Sequence, residues 1–196
     1  MKVVIDPGHA GRNIDPGAVN SATGLQEADI ALIVSRRVES LLLAAGHEVK
    51  LTRTEWEQAE TDDLSVRSSL SNDWGAELFV SIHCNSAVNP NAAGYEVWTS
   101  PGNTQGDVLA TGIFKQIAAE FPDRSGRTDL SDGDPDKESR FYVLVHTDAP
   151  ACLVEMAFIS NDGEAALLSD AAWQERYARA IARGVTDYAA LKVNAE

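Results

Sequence analysis

Three short apolar runs each carry a metal-competent side chain at or near their end. They are Val3-Val4-Ile5-Asp6-Pro7-Gly8-His9, Leu78-Phe79-Val80-Ser81-Ile82-His83 and Cys152-Leu153-Val154-Glu155. Each is rich in β-branched or large apolar residues, as a strand buried on both faces of an α/β sheet must be. Open α/β sheets collect their ligands outside the carboxyl ends of the strands. Two imidazoles and a carboxylate delivered to that edge could hold a metal or perform acid–base chemistry.

The rest of the chain alternates in the same way. Strands are expected over residues 2–6, 47–52, 78–83, 94–99, 142–145 and 152–158. Between them, Thr23-Gly24-Leu25-Gln26 fits a capping box. Ile30, Ile33, Val34, Val38, Leu41 and Leu42 then recur at helical spacing, and Gly46 ends that helix. Further helices are expected over 64–74, closed by Gly75, over 108–121, and over about 171–191, with Trp173, Tyr177, Ile181, Val185 and Tyr188 on one face. Alternation of this kind implies mostly parallel strands joined by right-handed crossovers. The expected fold is a single α/β domain, a mostly parallel twisted sheet of about six strands flanked by helices on both faces. One long polar segment, 122–140, interrupts it, and loops of that length in a compact domain tend to be functional or mobile. It is expected to border the substrate groove.

Composition excludes several classes. A net charge of −14 argues against nucleic acid, whose binding depends on neutralising phosphates, and against an anionic membrane surface. No apolar run reaches the length of a membrane span. Residue 2 already opens the first strand, so no signal peptide is expected. The two cysteines, Cys84 and Cys152, form no disulfide framework or zinc knuckle and read as buried thiols.

Each candidate residue has a plainer alternative. His9 follows Pro7-Gly8 at a turn, and a lone turn histidine is structural more often than not. His83 ends an apolar strand and is equally readable as a satisfied core residue. Cys84 should point to the opposite sheet face, which argues against a His83–Cys84 dyad. Glu155 lies in Cys152-Leu153-Val154-Glu155-Met156-Ala157-Phe158-Ile159 with no basic residue nearby in sequence. Burying it unpaired is costly and should raise its pKa toward that of a general base, unless a distant arginine neutralises it. Glu27, in a first helical turn, needs no role beyond complementing the helix dipole. His47 and His146 look like structural strand residues. Asp132-Gly133-Asp134-Pro135-Asp136 is not an EF-hand loop: the sixth and twelfth positions hold Lys137 and Val143 rather than Gly and Glu.

Four ordered motifs resemble a known family. Asp6-Pro7-Gly8-His9-Ala10-Gly11, Gly24-Leu25-Gln26-Glu27-Ala28-Asp29, Ser81-Ile82-His83-Cys84-Asn85-Ser86 and Leu153-Val154-Glu155-Met156-Ala157-Phe158-Ile159-Ser160-Asn161 are similar to zinc-dependent N-acetylmuramoyl-L-alanine amidases of the Amidase_3 type. The resemblance spans essentially the whole chain, 1–196, as one amidase catalytic domain. It implies zinc (Zn2+) held by His9, Glu27 and His83, which overrides the dipole reading of Glu27, and Glu155 as the catalytic carboxylate. It implies peptidoglycan as substrate, cut between N-acetylmuramic acid and L-alanine, with no nucleic-acid partner. The enzyme would be a monomer acting on the extracytoplasmic cell wall, reached by phage-lysin-type release, effector delivery or a leader lost by trimming.

Two departures are visible. Cys84 replaces a small residue, and Ala28 interrupts the usual Glu-Lys-Asp. The long regulatory helix of some periplasmic members has no counterpart in the polar segment 122–140, so built-in autoinhibition is not expected. Two other readings remain at this stage. One is a zinc exopeptidase on a similar scaffold; the other is a non-catalytic peptidoglycan-binding module.

Overall fold

The computed structural model describes residues 1–193. Its frame is a six-stranded sheet built from β1 (Lys2–Pro7), β2 (Glu48–Leu51), β3 (Leu78–Asn85), β4 (Glu96–Thr99), β5 (Lys137–Glu138) and β6 (Ala151–Phe158). The strand order is β2-β1-β3-β6-β4-β5. β2, β1, β3 and β6 are mutually parallel; β4 runs antiparallel to β6, and β5 parallel to β4. The three apolar runs are therefore the three adjacent central strands.

Their side chains alternate between two cores, as the pleat requires. Val3, Ile5, Val80, Ile82, Cys84, Cys152 and Val154 pack into the larger core. It lies under α1 (Glu27–Ala44), α3 (Gln105–Glu120), α5 (Asp162–Ser169) and α6 (Ala171–Val193). Val4, Phe79, Ala151 and Leu153 face a smaller core with Val143 and Leu144, covered by α2 (Leu64–Trp74) and α4 (Tyr142–Val145). Cys84 thus faces away from His83, as alternation predicted, and both thiols are buried and free. The stripe Trp173, Tyr177, Ile181, Val185 and Tyr188 of α6 is buried throughout. α3 approaches α6 so closely that a Cβ on Gly184 would lie 2.6 Å from the Ile113 Cα, so only glycine serves there.

Several local expectations need correction. The run Tyr142-Val143-Leu144-Val145 is one turn of helix, not a strand. A four-residue apolar run does not reveal its own period. Here Tyr142 stacks on His146 with ring centroids 3.9 Å apart, an i,i+4 contact that only a helix makes. His146 is accordingly a helix C-cap rather than a strand residue. The sixth strand is β5, inside the segment read as loop. The expected capping box does not form: Gln26 caps α1 without a side-chain bond, and the Thr23 hydroxyl instead donates to Asn20. α5 is an additional helix, capped by Asn161, whose side chain accepts from Gly163 and Glu164. Among the described residues, no helix is long and apolar enough to cross a membrane.

Candidate metal centre and active site

The carboxyl ends of β1, β3 and β6 open into a cleft of about 560 Å³ that contains His9, Glu27, His83 and Glu155. His9 arrives on the turn after β1. Its backbone is left-handed at φ 65°, and among the described residues it is the only non-glycine so placed. Such a conformation costs on the order of 1–3 kcal/mol and persists only when its surroundings impose it.

The surroundings here are arginines. Arg67, on α2 and 1% exposed, pairs with the equally buried Asp6 at 2.7 Å. It also donates to the carbonyls of Pro7 at 2.8 Å, His9 at 2.6 Å and Thr61 at 2.7 Å. Arg53 donates to the Gly8 carbonyl at 3.0 Å and to that of Ala28 at 2.8 Å, tying the β1 turn to the start of α1. Burial, with the nearby Arg67 charge, brings the Arg53 pKa down to about 10. Asp6 completes the lattice by accepting the hydroxyls of Ser81, at 2.6 Å, and Thr52.

On this support the donor atoms converge. Glu27 Oε1 lies 3.0 Å from His9 Nε2 and 2.9 Å from His83 Nδ1, and accepts the Cys84 amide at 3.0 Å. One ligand-capable atom of each of His9, Glu27 and His83 falls within 4.8 Å of the others. Tetrahedral zinc with bonds near 2.0–2.2 Å sets neighbouring donor atoms roughly 3.3 Å apart. The two Glu27–imidazole distances are within a few tenths of an ångström of that spacing, and the donor set of two imidazoles and one carboxylate suits such an ion. Glycines make the approach feasible: a Cβ on Gly8 would overlap the His83 ring, and one on Gly17 the His9 ring and Glu27.

Asp15 fixes the His9 ring. Its Oδ2 is 2.7 Å from His9 Nδ1, and its Oδ1 accepts the Gly17 amide. A carboxylate can only accept, so Nδ1 carries a proton and Nε2 is the nitrogen presented to Glu27. Burial opposes charge on His9, but Glu27 and then Asp15 outweigh it and raise its pKa. Burial likewise opposes charge on Glu27; the bonds and charges of His83 and His9 win and hold it well below the ordinary carboxylate range.

Glu155 differs. It is the register partner of His83 across the β3–β6 ladder. The residue keeps some exposure, yet its Oε2 is closed off and has no hydrogen-bond partner. Burial pushes its pKa well above the usual carboxylate range, with the charges of Glu27 and Glu96 adding to the effect. No salt bridge from an arginine neutralises it among the described residues. Leu64, Phe141 and Tyr142 form an apolar lip over the cleft.

All four sequence candidates thus come together at one edge of the sheet. Sequence reasoning missed Asp15 and the arginine lattice. Asp15 lay in a turn with nothing to mark it, and Arg67 looked like an ordinary residue of a polar helix. The segment 122–140 supplies no wall residue of the cleft, and reaches its border only through Arg127 and Lys137, which bond Glu96, the partner of the lining residue Asn85. Its ends are tied down instead: Arg124 pairs with Glu164, Arg127 and Lys137 with Glu96, and the buried Asp136 accepts the Thr99 hydroxyl at 2.6 Å.

An α/β sheet with a two-imidazole, one-carboxylate trio beside an unpartnered high-pKa carboxyl has the donor set and the proton acceptor that a metal-dependent hydrolase uses. Within that class the chain belongs to the N-acetylmuramoyl-L-alanine amidase family (Amidase_3), which matches residues 3–187. It is an amidase, and this favours the muramoyl amide over the peptide bonds of an exopeptidase. The amidase CwlM of Bacillus licheniformis is 33% identical over 100% of this chain and 71% of its own length. AmiA of Escherichia coli is 30% identical over 95% of this chain and 75% of its own. Among solved structures, the amidase AmiC2 of Nostoc punctiforme superposes with a TM-score of 0.83 at 31% identity, covering 96% of this chain and 97% of that one. The CwlD amidase of Clostridioides difficile, determined in complex with the GerS lipoprotein, gives 0.86 at 26% identity, covering 97% and 98%.

Proposed function

We propose that this protein hydrolyses the amide between the lactyl group of N-acetylmuramic acid and L-alanine in peptidoglycan, as a zinc enzyme. His9 Nε2, His83 Nδ1 and a Glu27 oxygen would hold the ion, and Glu155 would be the catalytic carboxylate. The observation that carries this reading is the buried, unpartnered Oε2 of Glu155 beside His83. Three protein ligands leave one position for water or substrate. Bound zinc supplies Lewis acidity toward the amide carbonyl and a lower pKa for water.

The chain's own residues do the rest. Positive charge on the neighbouring trio favours the ionised form of Glu155, the form that can accept a proton. It takes a proton from the attacking water as the new C–O bond forms. It returns that proton to the alanine nitrogen as the C–N bond breaks, releasing a lactyl carboxylic acid and a free amine. Asp15 holds the His9 ring in one tautomer throughout. Leu64, Phe141 and Tyr142 exclude bulk water from one side of the cleft.

The described chain would act as a catalytic domain, a monomer, on the extracytoplasmic wall. A non-catalytic wall-binding role would leave Glu155 buried with nothing to do. The test is mass spectrometry of digested peptidoglycan. Whole stem peptides beginning with L-alanine should appear, cease on chelation and return with zinc. Fragments cut between amino acids would overturn the proposal.

A further inference from the structure

The sheet face that carries Glu155 continues onto β4. In the antiparallel β4–β6 register, Glu96 is the direct partner of Glu155, and Trp98 that of Leu153. Residues directly opposite in such a pair share a face, with Cα atoms about 4.5–5.5 Å apart. Glu96 therefore stands one strand beyond the proposed acid–base group.

Glu96 is 3% exposed and fully engaged. Its Oε1 accepts from Arg127 Nε at 2.6 Å and Lys137 Nζ at 3.0 Å, its Oε2 from Asn85 Nδ2 at 3.0 Å and Trp98 Nε1 at 3.1 Å. One carboxylate thus gathers two cations, which leaves a surplus positive charge in a chain of net charge −14. The side chains of Arg127 and Lys137 remain 44% and 22% exposed. Each lies over an aromatic ring, Arg127 5.1 Å from the centre of Phe158 and Lys137 5.0 Å from that of Trp98. Only Nε of Arg127 is used by Glu96, so its two Nη groups remain for another acceptor. The patch is continuous with the cleft: Asn85 lines it, and so does Phe141, whose ring meets Trp98 edge-on at 5.5 Å.

A single cation would have neutralised Glu96, and backbone pairing of β5 and of Arg127 with Tyr95 already anchors this edge. We infer that Arg127 and Lys137, held on Glu96, form an anion-binding subsite beside the cleft, next to its lining residues Asn85 and Phe141, that receives a carboxylate of the peptide attached to the muramoyl group. The inference rests on the amidase reading. A guanidinium with free Nη groups is suited to two-point recognition of a carboxylate, and an ammonium beside it adds charge without fixing geometry.

The experiment compares muramoyl peptides that differ only in their carboxyl groups: all free, the second residue's amidated, the terminal one amidated, or both. With the zinc-loaded enzyme, the free-acid substrate should show a KM about tenfold below that of the doubly amidated one, at similar kcat. The two singly amidated substrates identify which carboxylate is read. Arg127→Gln and Lys137→Gln should raise KM for the acid substrate toward the amidated value and leave kcat within about twofold. Added salt should weaken the acid substrate selectively. Equal KM values for wild type on all four substrates would overturn the subsite, whatever the variants' folding. So would retention of the preference by both folded variants. Cleavage of none of the four would instead overturn the amidase reading, and the subsite with it.

Discussion

At the scale of single residues, Glu155 and Glu27 are carboxylates in one cleft whose surroundings drive their pKa values in opposite directions. Two imidazoles face Glu27, whereas Glu155 Oε2 faces nothing that donates. That divergence separates a ligand from a proton carrier, and it can be tested by substitution. Glu155→Gln is nearly isosteric but accepts no proton, so zinc content should stay at that of wild type while hydrolysis falls by about 10²–10⁴-fold. The melting temperature should hold or rise, because an unpaired buried carboxyl no longer has to be desolvated. Loss of zinc in this variant would instead make Glu155 a ligand. Asp15 offers the complementary case. It bonds the His9 ring and acts through it, so Asp15→Ala should weaken zinc affinity by about 10–100-fold, read by competition with a chromogenic chelator. Unchanged affinity would show that the His9 ring is fixed by packing alone.

At the scale of elements, the segment between α3 and α4 behaves unlike a free loop because its polar groups are buried against β4. Asp136 is 3% exposed, and burial followed by the neighbouring Asp134 raises its pKa from 3.8 to about 7. The unfolded chain therefore releases this proton near pH 4, whereas the folded chain keeps it until about pH 7. Between those values the folded state binds more protons, so this group's contribution to stability falls as pH rises through that window. Asp136→Asn removes the titration. Its melting temperature should exceed that of wild type at pH 8, and the gap should close toward pH 4; a pH-independent difference would refute the assignment.

The same elements mark what could be read from sequence. β1, β3 and β6 were legible because their runs of six to eight residues are mostly apolar on both faces, and α6 because five large residues repeat at helical spacing over four turns. Tyr142–Val145 was not, since its helical state depends on packing Val143 and Leu144 under α2. β5 was hidden because a two-residue strand has no period, and its pairing with Trp98 and Thr99 is a tertiary event. The four residues of the centre were visible as ordered motifs. What fixes them was not, because a buried arginine such as Arg67 looks like a surface one until its four acceptors are in place.

At the scale of the whole molecule, the central strands put reactive chemistry on one side of the sheet and sulfur on the other. Cys84 follows His83 directly, yet points into the large core, and Cys152 lies on the same inward side. Cys152 pairs in register with Val80, four residues before Cys84 on β3, which separates the two sulfur positions by roughly 13 Å along the strands. A bridge between them is geometrically excluded. Burial lifts both thiols well above the ordinary cysteine range, so almost no thiolate forms at neutral pH. The folded enzyme should therefore resist air, peroxide and disulfide exchange. Ellman's reagent should find no reactive thiol until the chain is unfolded, when both respond. A protein built this way can work in an oxidising environment without mispairing and without a disulfide of its own, so shelf life should be limited by unfolding rather than by sulfur chemistry.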